Sequence, residues 1–176
     1  MTTFRKTVFT PQKHIDFYLS SYNEMKKFAG NSFTVLLGLE LRYYLTINDY
    51  LIYGVEEDWL RKQGNLLLLE PKSAFKLAHK EGYLICQAHP YRKFMTRCSP
   101  RYLDGMEVYN GKTDKELNDK ALKWAEQTGK IQVSGSDFHH LGGEGRGGII
   151  TKAPIFTNSD LTELLRSGDY KLIKTE

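Results

Sequence analysis

Cysteine is nearly missing from this 176-residue sequence: Cys86 and Cys98 are the only two. They cannot form a disulfide framework, and no CxxC pair offers a redox or zinc-ribbon motif. The sequence therefore reads as that of a reduced, cytoplasmic protein. Long apolar runs are missing as well. Nothing approaches the roughly 20 residues needed to cross a bilayer. The opening MTTFRKTVFTPQKH is charged and has no apolar stretch of the secretory type, so no membrane partner is expected. Charge of one sign is not in large excess either. Lys and Arg number 25 against 21 Asp and Glu, a net charge of +4. No basic block forms a track for nucleic acid, which is an unlikely partner on this reading. Repeats, low-complexity tracts and linkers are also lacking, so residues 1–176 read as one domain.

What is present suffices for an ordinary core: 40% of the residues are hydrophobic and 12% aromatic. Helix signals punctuate the chain. Thr10-Pro11 starts a run that ends at Gly30, with Ile15, Tyr18, Leu19, Tyr22 and Met25 on one face. Pro71 opens a helix stopped by Gly82, with Ala74, Phe75 and Ala78 inward. Thr113-Asp114-Lys115-Glu116 has the form of a capping box, and Gly129 follows the helix it opens. Asn158 or Ser159 caps a last helix that closes at Gly168. Between the helices, β-rich runs occupy 33–43, 50–55, 83–88, 105–109, 131–134 and 148–150. Alternation of strands and helices predicts βα units around a largely parallel sheet. The length allows fewer units than a full eight-unit barrel of about 250 residues.

Function in parallel α/β folds collects at the carboxyl ends of strands. There the sequence places Glu40, His89, Glu107, Asn110, and Asp137 with His139. Imidazole and carboxylate together suit Zn, Mn or Fe better than Ca. In an extended segment Asp137 and His139 point to one side, and His140 faces away. Glu107 reads as a supporting acid or as the partner of a nearby arginine. His14 and His79 fall on helices as exposed residues. The segment after His89 carries Arg92, Lys93, Arg97 and Arg101 with no acid among them.

The segments GLELRY (38–43), QAHPYR (87–92), DGMEVYN (104–110), SGSDFH (134–139) and GRGG (145–148), in that order, resemble a PHP domain, the polymerase and histidinol phosphatase type. The resemblance covers about residues 33–150. It implies a distorted seven-stranded βα barrel of PHP type, with divalent metal ions (Mn, Zn or Fe) at the carboxyl end. It also implies that Glu40, His89, Asp137 and His139 are metal ligands, Glu40 as a bridging carboxylate. The sequence departs from the pattern in one respect. The His-x-His and Asp-His motifs that open such domains are missing, so the expected barrel is incomplete at its N-terminus. Asp49, at the start of the 50–55 run, is a candidate extra carboxylate.

The function this implies is a metal-dependent phosphoesterase that hydrolyses a phosphate ester through a metal-activated water. Arg92 and Asp137 are the expected catalytic residues. Arg42, Arg92, Asn110 and Arg146 are expected to bind a small phosphorylated substrate. The alternative is a catalytically impaired PHP-like module that binds a phosphorylated ligand or a protein partner. A homo-oligomer covering the open barrel edge is a further expectation.

Overall fold

A computed structural model describes residues 11–44 and 46–175. Thr10, the expected cap of the first helix, lies outside the described residues. Helix α1 (Pro11–Ala29) buries Ile15 and Leu19, and its chain turns away at Gly30 with φ +52°. Each of those two side chains contributes about 1.5–3 kcal/mol by leaving water. Tyr18 and Met25 stay largely exposed, and the Tyr18 hydroxyl donates to Gly38 O at 2.5 Å. Strands β1 (Leu39–Arg42) and β2 (Asp49–Tyr53) follow, then a short helix α2 (Glu57–Arg61) and α3 (Pro71–Lys80). The second half runs β3 (Leu84–Gln87), β4 (Gly105–Asn110), α4 (Lys115–Thr128), β5 (Ile131–Gly135), β6 (Gly147–Ile150), α5 (Asn158–Ser167) and β7 (Lys171–Lys174).

The sheet does not close, which corrects the expected seven-stranded βα barrel. Five strands form one mixed sheet in the order β1-β2-β3-β4-β5, and β6 and β7 pair separately. β1–β2 and β2–β3 are antiparallel, whereas β3–β4 and β4–β5 are parallel. Only residues 43–48 link β1 to β2, far short of the dozen or more residues a parallel crossover requires. A hairpin-like return is the consequence. Because β2 alone is reversed, the carboxyl ends of β1, β3, β4 and β5 share one edge with the start of β2. That reversal brings Asp49 opposite Arg42.

Side chains alternate across this sheet. Leu39, Ile52, Ile85, Met106 and Val108 join α1, α3 and α4 in the larger core. Leu84, Cys86 and Val133 point the other way and meet Leu165 of α5. Glu40, Leu51, Tyr53 and Glu107 share this second face, where they line a cavity. The β6–β7 pair extends the β5 edge through serine hydroxyls. Ser134 Oγ donates to Ile173 O at 2.6 Å and accepts from Gly148 N at 3.1 Å. Ser136 Oγ donates to Gly147 O at 3.1 Å and accepts from Gly147 N at 3.0 Å.

Two helix starts differ from their sequence reading. Thr157 caps α5 in a full capping box with Asp160, one residue before the expected Asn158 or Ser159. Asp114 sits at the α4 N-cap with no side-chain cap bond, and Thr113 Oγ1 bonds Asn110 Oδ1 at 3.2 Å instead. The Asn110 turn has taken Thr113 for the neighbouring cavity.

Candidate metal and phosphate site

A cavity of about 230 Å³ opens at the shared strand edge, lined in part by Glu40, His89, Glu107, Asn110 and Asp137. His89 follows β3 and is fixed through its backbone, since its N–H donates to Glu107 Oε2 at 2.8 Å. Its ring is nearly enclosed, with 2% of the side chain exposed. Nε2 lies 3.6 Å from Glu40 Oε1 and 3.6 Å from Asp49 Oδ2, beyond hydrogen-bond length, and Nδ1 has no partner. A buried imidazole with neither nitrogen bonded is costly.

These distances fit a cation better than a hydrogen bond. Metal–ligand bonds of about 2.1 Å in a tetrahedron place two ligand atoms roughly 3.4 Å apart. Ligand atoms of Glu40, Asp49 and His89 all lie within 4.8 Å of one another. Asp49 is oriented by Arg42, whose Nε and Nη2 each donate to a different carboxylate oxygen at 2.6 Å. Each oxygen keeps a second lone pair, so Asp49 Oδ2 can serve both the arginine and a cation. The donor set is therefore suited to a divalent ion of the Mn, Zn or Fe type.

The other two expected ligands form a second cluster, of which Asp137 lines the same cavity and His139 lies exposed beside it. Asp137 follows β5, and its Oδ2 takes Arg92 Nη2 in a short ion pair and Asn110 Nδ2 at 3.2 Å. Its Oδ1 lies 3.0 Å from His139 Nδ1. Burial opposes the Asp137 charge, but Arg92, Asn110 and His139 together hold its carboxyl below the usual range. His139 Nδ1 donates to the Asp137 backbone carbonyl at 2.9 Å, so it is Asp137 Oδ2 whose hydrogen bonds are taken up, by Arg92 and Asn110. Arg92 also donates to Asn110 Oδ1 at 2.8 Å.

Glu107 links the two clusters. One of its oxygens accepts from both His89 N at 2.8 Å and Asn110 Nδ2 at 3.0 Å. Among the described residues no arginine pairs with it. Burial pushes its carboxyl up to about 7, against the pull of those two donors. The bare Cα of Gly135 makes room for the other oxygen, because a Cβ there would stand 2.5 Å from Glu107 Oε1.

Of the basic residues after His89, Arg92 is the one that bonds cavity-lining residues, Asn110 and Asp137. Arg97 Nη1 donates to Tyr91 Oη at 3.0 Å, and Lys93 lies over the Phe94 ring. The segment is anchored by Gln87, which donates to Thr96 O at 2.6 Å and accepts from Cys98 N at 2.9 Å. Arg146 does not reach the cavity and lines a different one beside Lys174. His79, expected as a plain exposed residue, pairs with Asp104 at 2.8 Å on helix α3. Asp49 entered the sequence reading only as an additional carboxylate. Its signal was the short 43–48 connection, which reverses β2 and carries Asp49 to this edge.

Comparison with known proteins adds two findings. Residues 115–170 match the family model described as PHP-associated, which supports the PHP resemblance of the motifs. The fold is similar to the crystal structure of PsfC from Pseudomonas syringae PB-5123, with a TM-score of 0.60 at 17% identity over 72% of this chain. The chain spans only about 55% of that protein's length. No curated protein matches the sequence. Among the described residues no helix is long and apolar enough to cross a membrane.

Proposed function

We propose that this PHP-associated chain is a metal-dependent phosphoesterase acting on a small phosphate ester. The observation that carries the reading is the buried His89 Nε2, 3.6 Å from both Glu40 and Asp49, in one cavity with Asp137. Glu40, Asp49 and His89 would hold the ion. When bound, a divalent Mn, Zn or Fe ion supplies Lewis-acid polarisation and a water acidic enough to attack near neutral pH.

The remaining steps belong to the protein. Arg92 presents its guanidinium at the cavity and can exchange its pairing with Asp137 for a two-point grip on phosphoryl oxygens. Asp137, released from Arg92, keeps His139 and Asn110 as partners. Arg42 orients Asp49 and, being half exposed, stands at the rim. Asn110 holds Glu107 and Arg92 in register from its two amide atoms.

The ion pair of Asp137 Oδ2 with Arg92, reinforced by Asn110 on the same oxygen, favours a second reading, a PHP-like module that binds a phosphorylated ligand without turning it over. Metal content of the purified chain, with Mn- and Zn-dependent hydrolysis of p-nitrophenyl phosphate, decides between them. Asp49→Asn with His89→Ala is the control, and a retained unfolding transition shows that it folds. Bound metal and turnover, both lost in the control, support the enzyme. Metal without turnover supports the module, and no metal in any condition overturns the site itself.

A further inference from the structure

A second cavity, about 730 Å³, shares no lining residue with the one just described. The turn from Asn110 to Thr113 separates the two. Half-buried Tyr109 and Leu122 give the second cavity apolar lining, and Lys115, Arg146 and Lys174 line it against one described acid, Asp119. Asp119 is already 3.3 Å from Lys115. Arg146 and Lys174 make no side-chain hydrogen bond or ion pair among the described residues.

Both cations line the cavity where β6 and β7 pair. Gly147 stands opposite Lys174, and Thr175 N donates to Arg146 O at 3.2 Å. Gly111 lets Arg146 lie close to the turn, since a Cβ on Gly111 would come within 2.9 Å of Arg146 Cβ. Two unpaired cations at one concave rim concentrate positive potential there. A phosphomonoester carries about −1.5 to −2 charges near pH 7 and matches two cations, whereas a carboxylate supplies one. The volume lies within the roughly 300–1,000 Å³ of small-molecule sites.

We propose that this cavity binds a small organic phosphomonoester, with Arg146 and Lys174 on the phosphoryl group and Tyr109 and Leu122 beside the organic part. The site is separate from the metal cavity and does not depend on the activity proposed there. The test is an amide-shift titration of metal-free, isotope-labelled protein with phenyl phosphate and with inorganic phosphate. Phenyl phosphate should move the amides of Gly111, Thr113, Lys115, Arg146 and Thr175, and bind more tightly than inorganic phosphate. Arg146→Ala and Lys174→Ala should each weaken it about tenfold and leave the unfolding transition in place, because both side chains are exposed. Shifts confined to His89 and Asp137, no shifts at low-millimolar ligand, or unchanged affinity in both variants would overturn the proposal.

Discussion

Replacing Glu107 by Gln tests whether a buried carboxyl at the centre of the site is held partly protonated. In the folded chain its carboxyl sits near 7 rather than at the ordinary 4.5, because burial penalises the charged form. The folded state therefore binds a proton more tightly than the unfolded chain. That contribution to stability is complete below about 4.5 and is lost as pH rises through about 7. The gap between those values corresponds to on the order of 3 kcal/mol. Gln cannot titrate, yet its carbonyl oxygen can still accept from His89 N and Asn110 Nδ2. Urea unfolding of metal-free protein, followed by circular dichroism at pH steps from 4.5 to 8, gives the wild-type minus variant stability. This difference should fall by that amount across the window, while contributions from other groups largely cancel. A difference that stays flat, or grows as pH rises, refutes the account.

Gly135→Ala puts a methyl group 2.5 Å from Glu107 Oε1, and Glu107 is held on its other oxygen by two donors. A loss of about 1–3 kcal/mol in denaturant unfolding is expected, with weaker Mn binding in a calorimetric titration. Wild-type values on both would show that the carboxylate yields freely. At the α5 start, Thr157→Ala should cost about 1 kcal/mol by removing the capping box. Ser159→Ala should be nearly neutral, and equal losses in thermal unfolding would place the cap wrongly.

Helix ends were the most legible part of the fold. Gly30, Gly82, Gly129 and Gly168 all take positive φ where the chain leaves a helix or its closing turn, and only glycine adopts that conformation without a Cβ penalty. Strand positions were also readable from β-rich runs, although only Leu39–Arg42 of the 33–43 run pairs. Strand direction was not read correctly, for a physical reason. The barrel expectation came from the motif order, which carries no information about direction. The 43–48 connection does carry it, being too short for a parallel crossover. In the site, His89 and Asp137 were visible as polar residues ending apolar runs. Arg146 reads in the sequence as a phosphate-binding candidate because the glycines around it would let backbone approach a substrate. Its position depends on β6 pairing with β7, and the strand Lys171–Lys174 carries too short and too charged a pattern to announce itself.

Glu107 has a role that the metal-ligand composition alone does not suggest. His89 and Asp137 are non-glycine residues with positive φ, +28° and +49°, each just past the end of a strand. Such conformations cost about 1–3 kcal/mol apiece and persist only where neighbours hold them. At His89 the holder is the Glu107 carboxylate on its backbone N–H. At Asp137 it is Arg92 and Asn110 on the side chain, and Asn110 is itself bonded to Glu107. One buried carboxylate thus ties both turns to β4, in the middle of the sheet. These bonds are all between groups of the chain, so the chain carries the backbone strain and sets His89 Nε2 3.6 Å from both Glu40 and Asp49.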